Sequence, residues 1–132
     1  MTAPFRLGEH FVVLDRDFSA ETIEVTDTLY AELDEKYDGF SGRVLVSRYS
    51  FASDWPTWEV HPAGDEFVYL LEGEADMILA LPGGDETVRV REPGDFVIVP
   101  RGVWHTAKTN TATTMLFVTP GQGTINAEQP ER

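Results

Sequence analysis

From residue 43 onward, short apolar runs alternate with turns rich in glycine, proline and aspartate. The runs at 43–51, 66–73 and 114–120 are typical, because β-branched and aromatic residues dominate them. Closely spaced strands with turn signals between them are characteristic of all-β barrels and sandwiches. We therefore expect an all-β domain over residues 43–120, whose strands present alternate side chains to an interior.

The N-terminal part of the chain has a mixed pattern. Residues 11–15 and 22–26 have the composition of short strands. Residues 27–37 predict one short helix, because Leu29 and Leu33 fall at helical spacing. The expected organisation has three parts: N-terminal strands and helix packing on the barrel, residues 1–42; a β barrel, residues 43–120; and a polar tail, residues 121–132.

The composition indicates one globular domain with an acidic surface. The 132 residues are 42% hydrophobic and include no cysteine, which excludes disulfides and thiolate metal sites. Ten Lys and Arg against 23 Asp and Glu give a net charge of −13, which repels phosphate backbones and anionic lipid. We therefore expect neither a nucleic-acid nor a membrane partner. The lack of a signal-peptide pattern and of a membrane-length apolar run predicts a cytoplasmic location.

The candidate chemistry lies in two places along the β region. Glu59 and His61 are two positions apart, so strand alternation directs both side chains to one face. Turn-forming residues 62–65 follow, and Glu66 can return to the same space. Farther along, His105 begins a strand after a tight turn. If the sheet brings His105 opposite the first group, two imidazoles and two carboxylates form a set that suits a divalent metal.

These residues give the sequence a resemblance to the small single-domain cupins. The first cupin motif has a glycine, two histidines separated by one other residue, a glutamate and a second glycine, all at fixed spacing. This chain matches it at His61, Glu66 and Gly73. It departs at Ser53, where the motif has glycine, and at Glu59, where the motif has its first histidine.

The second cupin motif is also recognisable. Four residues match it in order: Gly94, Pro100, Gly102 and His105. Thr109 stands where the motif has asparagine. The resemblance covers residues 43–119, and it implies an all-β fold of the cupin type, a jelly-roll barrel or double-stranded β-helix.

The resemblance further implies a divalent metal ion as cofactor. Cupins commonly hold such an ion with three histidines and one glutamate, whereas the set here is Glu59, His61, Glu66 and His105. A second carboxylate in place of a neutral imidazole brings the loaded site near zero charge. Added anionic oxygen favours harder ions, so we expect iron or manganese ahead of copper, with zinc or nickel as alternatives.

Three roles are open for Glu59. We favour metal ligation, because Glu59 occupies the position of a family ligand. Alternatively, two histidines and Glu66 form the ligand set of non-haem iron oxygenases, and Glu59 is a catalytic general base beside the open positions. In the third interpretation Glu59 orients His61 by a hydrogen bond.

Strand alternation also sorts the apolar residues into two sets. The inner set, expected to line an apolar cup, is Val68, Leu70, Met77, Ala107 and Phe117. The outer set is Trp58, Val60, Phe67, Tyr69 and Leu71. Such an outer patch should not meet water, so we expect a homodimer, with residues 1–42 covering what remains.

Arg48 and Arg101 are candidate contacts for an anionic substrate, although surface solvation is the simpler role for both.

Three functions are compatible with this pattern. The first is a small metal-dependent enzyme, an oxygenase, isomerase or lyase, that acts on a small organic substrate in the barrel. The second is a non-catalytic sensor cupin that binds a small ligand or a metal, and the third is a metal-free scaffold. We favour the enzyme by a small margin, because one fold hosts many functions and the motifs indicate the metal more firmly than the reaction.

Overall fold

A computed structural model describes residues 3–131 of the chain. One helix, α1 (Leu29–Lys36), lies in this part of the chain. The strands are β1 (His10–Leu14), β2 (Ala20–Glu24), β3 (Val44–Phe51), β4 (Trp58–Val60), β5 (Glu66–Glu72), β6 (Ala75–Leu81), β7 (Gly84–Val90), β8 (Phe96–Val99), β9 (Trp104–Lys108), β10 (Thr113–Thr119) and β11 (Ile125–Ala127).

The strands form two antiparallel sheets that face each other. One has six strands in the order β2-β1-β3-β10-β5-β8, and the other has five in the order β11-β4-β9-β6-β7. Long crossovers between sequence-distant strands, such as β3 with β10, give the jelly-roll topology that the resemblance implies. The two sheets are not joined into a closed ring of strands, so the predicted barrel is an open two-sheet sandwich.

One half of the space between the sheets is tightly packed. Its centre is formed by Val68, Leu70, Met77, Ala107 and Met115, each at most 1% exposed. The inner set of apolar residues predicted from alternation is therefore buried as expected, including Phe117 at 5%. Each fully buried Leu or Met side chain stabilises the fold by about 1.5–3 kcal/mol.

The N-terminal segment builds a second, smaller core. Phe11 and Val13 of β1 pack with Leu29 and Leu33 of α1 and with Leu45 at the start of β3. The helix follows from this packing, since its two leucines are one turn apart and both are at most 3% exposed. No helix among residues 3–131 is long and apolar enough to cross a membrane.

The outer apolar set is only partly exposed. Val60 was expected on the surface but is 7% exposed, on a strand, β4, that lies between β9 and β11 in its sheet. Leu71 is 36% exposed, and the neighbouring edge strand β8 adds Phe96 at 57% and Ile98 at 47%. Phe67 and Tyr69 are half-buried beside them. None of the outer apolar residues belongs to the core that the N-terminal segment builds. The packing of that core therefore does not cover the outer apolar patch.

Candidate metal centre

Four side chains meet at the border between the two halves of the sandwich. Glu59 lies on β4 and is paired in register with His105 on β9, so their side chains share the inner face of the five-stranded sheet. His61 follows two positions after Glu59 on the same face, as alternation requires. The turn after His61 leads into β5, whose first residue, Glu66, enters the cluster from the opposite sheet.

The distances within this cluster are those of a set of convergent ligands. One ligand atom from each of the four residues lies within 4.8 Å of all the others. The Nε2 atoms of His61 and His105 are 3.2 and 3.1 Å from the carboxylate oxygens of Glu66. The same two atoms are 3.7 and 3.5 Å from Oε1 of Glu59. All four residues predicted from the sequence are thus brought together around one point.

Several of the converging atoms lack a hydrogen bond. Nε2 of His61, Nε2 of His105 and Oε1 of Glu66 are buried, and the short contacts among them are not aligned as hydrogen bonds. Leaving a buried polar atom unpaired costs about 1–3 kcal/mol, so three together need an explanation. A divalent ion would satisfy all three, and nitrogen and carboxylate oxygen are suitable donors for it.

Hydrogen bonds on the far side of each imidazole fix its orientation. The hydroxyl of Thr124 donates to the carbonyl of Gly121 at 2.9 Å, so it accepts from Nδ1 of His61 at 2.8 Å. Nδ1 of His105 donates to the carbonyl of Val103 at 3.1 Å. With Nδ1 protonated, the lone pair of each neutral imidazole lies on Nε2 and points into the cluster, which is the tautomer that a metal ligand requires.

The two glutamates differ in how firmly they are held. The Glu66 side chain is 2% exposed and accepts a hydrogen bond of 2.6 Å from the hydroxyl of Thr119 on β10. The Glu59 side chain is 23% exposed and faces the open half of the sandwich. Because Thr124 occupies Nδ1 of His61, Glu59 approaches that imidazole only at Nε2, the atom that points into the cluster.

Mutual attraction governs the charges of the metal-free cluster. Burial raises the pKa of Glu59, but the neighbouring His105 and His61 outweigh it and bring that pKa down to about 2. Burial lowers the pKa of each imidazole, but the two carboxylates outweigh it and raise the pKa of His61 and of His105 to about 9. The pKa of Glu66 is lowered, since the imidazoles again outweigh the effect of burial. Protons therefore occupy the imidazoles of the metal-free cluster at neutral pH, and a metal ion would have to displace them.

The cluster opens into a cavity of about 580 Å³ in the less packed half of the sandwich. Phe117 of the predicted inner set lines this cavity, whereas Val68, Leu70, Met77 and Ala107 belong to the packed half and do not. Alternation indicates which face a side chain occupies, but not how far along the sandwich the packing extends. The expectation of an apolar cup lined by those four residues is therefore wrong.

The cavity wall contains residues that the sequence pattern did not indicate. Tyr30 and Asp34 of α1 reach it from the N-terminal segment, and Thr124 reaches it from the C-terminal one. A helical tyrosine on a partly polar helix carries no sequence signal for this role. Thr119 could have been found, since it lies two positions beyond Phe117 and shares its face. Neither Arg48 nor Arg101 lines the cavity, and both are exposed.

The protein is thus a small jelly roll in which two imidazoles and two carboxylates, a set that could hold a metal ion, converge between the sheets. The family model described as "Cupin domain" matches residues 52–120. The chain belongs to the cupin domain family, which confirms the resemblance and the predicted fold class.

Solved structures show the same fold. An oxalate oxidase matches with a TM-score of 0.54 and 23% identity over 62% of this chain and 45% of its own. A cupin superfamily protein from Desulfitobacterium hafniense DCB-2 matches with a TM-score of 0.50 and 29% identity, over 60% of this chain and 68% of its own. Bacillus subtilis oxalate decarboxylase matches with a TM-score of 0.51 and 17% identity, over 64% of this chain and 23% of its own.

Each match covers only part of this chain and only part of the matched protein. The chain spans about 45% of the length of the oxalate oxidase that it matches. No curated protein sequence matches the chain. The region matched by the family model runs from residue 52 to residue 120, so Tyr30 and Thr124 of the cavity wall both lie outside it.

Proposed function

We propose that the protein is a small metal-dependent enzyme that acts on an organic substrate in the cavity beside the cluster. The observation that carries this proposal is the set of buried ligand atoms, unpaired by hydrogen bonds, at the inner end of a cavity of about 580 Å³. Cavities of about 300–1,000 Å³ are typical of small-molecule sites. Oxygenase, isomerase and lyase chemistry are the reaction classes compatible with such a centre.

His61, Glu66 and His105 would hold the metal, and the donors favour iron or manganese. Two hydrogen-bonded imidazoles and a carboxylate fixed by Thr119 form a rigid set, which a metal ligand shell requires. When bound, the ion would supply Lewis acidity and, in the case of iron or manganese, redox chemistry. Among the solved structures of the same fold, the oxalate decarboxylase has Mn(II) centres, which supports a divalent ion here.

Glu59 is proposed as the fourth ligand. Its oxygen stands 3.5–3.7 Å from both Nε2 atoms, close enough to join them on one ion after a small movement. Its exposure to the cavity also suits the alternative role, in which the carboxylate accepts a proton from a substrate bound beside the metal. In both roles Glu59 is the polar residue of the cluster nearest to an incoming ligand.

Turnover by loaded protein tests the proposal. Protein loaded without oxygen with Fe²⁺ or Mn²⁺ is mixed with a panel of small metabolites, and oxygen uptake and product formation are followed. We expect turnover of one compound class by the parent and by His10→Ala, whose histidine lies on β1 outside the cluster, and none by His61→Ala. Ligand binding without turnover of any compound would favour the sensor function instead.

We also propose that the protein forms a homodimer through the outer face of β5 and β8. Phe67 stacks on Tyr69 and contacts Phe96 at ring-centroid distances of 6.0 and 5.2 Å, so the exposed side chains form one continuous patch. An isologous contact would bury this patch on both copies. Light scattering should give a dimer at micromolar concentration for the parent and a monomer for Ile98→Lys, whereas a monomeric parent would contradict the dimer.

A further inference from the structure

We propose that the cavity selects an aromatic ligand whose end remote from the metal is uncharged and carries a hydroxyl or carbonyl group, and that Tyr30 and Tyr49 recognise this group. The inference rests on the proposed function, in which the other end of the ligand faces the metal. It concerns the part of the cavity that lies outside the matched family region, because both tyrosines precede residue 52.

The charges of the cavity wall exclude an anionic remote end. Among residues 3–131, the ionisable acids and bases that line the cavity are Asp34, Glu59, His61 and Glu66, with no lysine or arginine. A divalent ion on two carboxylates and two neutral imidazoles has a net charge near zero, which leaves Asp34 as the uncompensated charge. A carboxylate or phosphate placed away from the metal would therefore meet an acidic side chain and no countercharge, which is unfavourable.

The two tyrosines form a ready hydrogen-bonding pair on this wall. The hydroxyl of Tyr30 on α1 is hydrogen-bonded to the hydroxyl of Tyr49 on β3. In such a pair one proton is shared between the oxygens, so the second hydroxyl proton and the free lone pairs remain available to a ligand. Tyr30 and Tyr49 are 58% and 40% exposed, but partial desolvation of their hydroxyls raises both pKa values, and the mutual hydrogen bond raises that of Tyr30 further, so the pair stays neutral. A neutral donor and acceptor matches a hydroxyl or carbonyl group.

A chain of aromatic rings leads from this pair to the metal cluster. The ring of Tyr49 contacts Phe117 at a centroid distance of 6.0 Å, and Phe117 contacts Trp55 at 6.0 Å. Trp55 in turn contacts the imidazole of His105 at 6.5 Å. Three of these rings, those of Tyr49, Phe117 and Trp55, line the cavity. Aromatic walls favour a planar aromatic body, because offset and edge contacts between rings add to the gain from apolar burial.

Three benzoates that differ only at the para position test the inference. 4-Hydroxybenzoate carries a neutral hydrogen-bonding end, 4-methylbenzoate an apolar end of similar size, and terephthalate an anionic end. All three present the same carboxylate to the metal, so differences among their affinities report on the remote end. Their dissociation constants are measured by calorimetry on protein loaded with Zn²⁺, which has no redox chemistry.

We expect 4-hydroxybenzoate to bind about three- to tenfold more tightly than 4-methylbenzoate, the usual gain from one neutral hydrogen bond. Terephthalate should bind at least about tenfold more weakly than 4-hydroxybenzoate. Tyr30→Phe and Tyr49→Phe should each remove the advantage of the hydroxyl and leave the affinity for 4-methylbenzoate unchanged. Tyr37→Phe is the matched control, since Tyr37 packs in the N-terminal core and does not line the cavity.

Equal affinity for terephthalate and 4-hydroxybenzoate in the parent would overturn the inference. So would an equal loss of affinity for the hydroxyl and methyl probes in both tyrosine variants. Metal content and, on protein loaded with Fe²⁺ or Mn²⁺, turnover are measured separately. A parent that binds metal but turns over no compound contradicts the proposed function, whereas the order of the probes on the Zn²⁺-loaded protein still decides the inference. A parent that binds no metal contradicts both, because the carboxylate of each probe then has no ion to face.

Discussion

The two halves of the sandwich are built from the same alternating strands but are filled in opposite ways. In the packed half, residues such as Val68, Leu70 and Met77 leave almost no surface exposed. In the open half, Glu59 and His61 border a cavity that the N-terminal helix and the segment after β10 help to enclose. The packed half supplies stability, and this allows the open half to keep buried ligand atoms unpaired by hydrogen bonds.

The largest effect on stability is expected in the packed half. Leu70→Ala removes a side chain that is 0% exposed, and such cavities cost about 2–5 kcal/mol in the free energy of unfolding. Because Leu70 is remote from the ligand atoms, the loss should be equal in metal-free and metal-loaded protein, and the bound metal should be retained. Chemical denaturation of both forms measures the loss, and a loss confined to the loaded form would contradict the separation of the halves.

A hydrogen bond in the open half should affect the metal and leave the fold nearly intact. Thr124→Val removes the acceptor for Nδ1 of His61 at constant shape, and losses of this kind weaken metal binding by about 10–100-fold. Thr111→Val, on an exposed loop away from the cluster, is the matched control. Metal affinity is measured by competition with a chelator. Equal affinities in Thr124→Val and the control would show that this hydrogen bond does not support the centre.

The effect of pH should distinguish the cluster from the packed core. In metal-free protein, the stability contributed by His61 and His105 is complete below their unfolded pKa of 6.5 and is lost as the pH rises through about 9. The contribution of Glu59 is complete above its unfolded pKa of 4.5 and is lost as the pH falls through about 2. Metal-free protein should therefore be most stable between pH 4.5 and 6.5.

Metal affinity should rise as the pH rises, because the ion must displace the imidazole protons. The difference in Tm between loaded and metal-free protein should widen from pH 6.5 to about 9. Thermal unfolding of both forms across this range measures it, with His10→Ala as a control that keeps the cluster. A constant difference in Tm would mean that the imidazoles do not exchange protons for metal.

The smallest change is expected at Glu59, the most exposed member of the cluster. Glu59→His should retain a bound ion and shift the preference among metals toward softer ones, since an imidazole replaces an anionic oxygen. Competition between Mn²⁺ and Zn²⁺, followed by metal analysis, measures the shift relative to the parent. An unchanged preference would favour the role of Glu59 as a general base that does not contact the metal.

The convergence of the four cluster residues was predictable because strand periodicity is local. Alternation alone places Glu59 and His61 on one face, and the cupin motif spacing supplies Glu66 and His105. The hydrogen bond from His61 to Thr124 was not predictable, because it joins positions 63 residues apart and the threonine lies outside both motifs. The same holds for Tyr30, whose approach to Tyr49 depends on how the helix packs.

The sequence predicted the fold class, but it did not predict that the two sheets stay separate instead of closing into a barrel. The turn-separated strands indicated an all-β barrel or sandwich, the motif resemblance narrowed this to a jelly roll, and the helix predicted over 27–37 was found at Leu29–Lys36. The sequence did not reveal that the two sheets remain open, nor that Val60 would be buried. The pairing of β11, a three-residue strand in a polar segment, with β4 is likewise a long-range contact that local patterning does not indicate.

The metal content of the purified protein tests the central claim most directly. Parent, His105→Ala and His10→Ala are prepared without added metal, reloaded with a small excess of Mn²⁺, freed of unbound ion and analysed by plasma mass spectrometry. Because His105 is 0% exposed and its Nε2 points into the cluster, we predict about one ion per chain in the parent and in His10→Ala, and nearly none in His105→Ala. A His105→Ala protein that carries as much metal as the parent would contradict the metal centre.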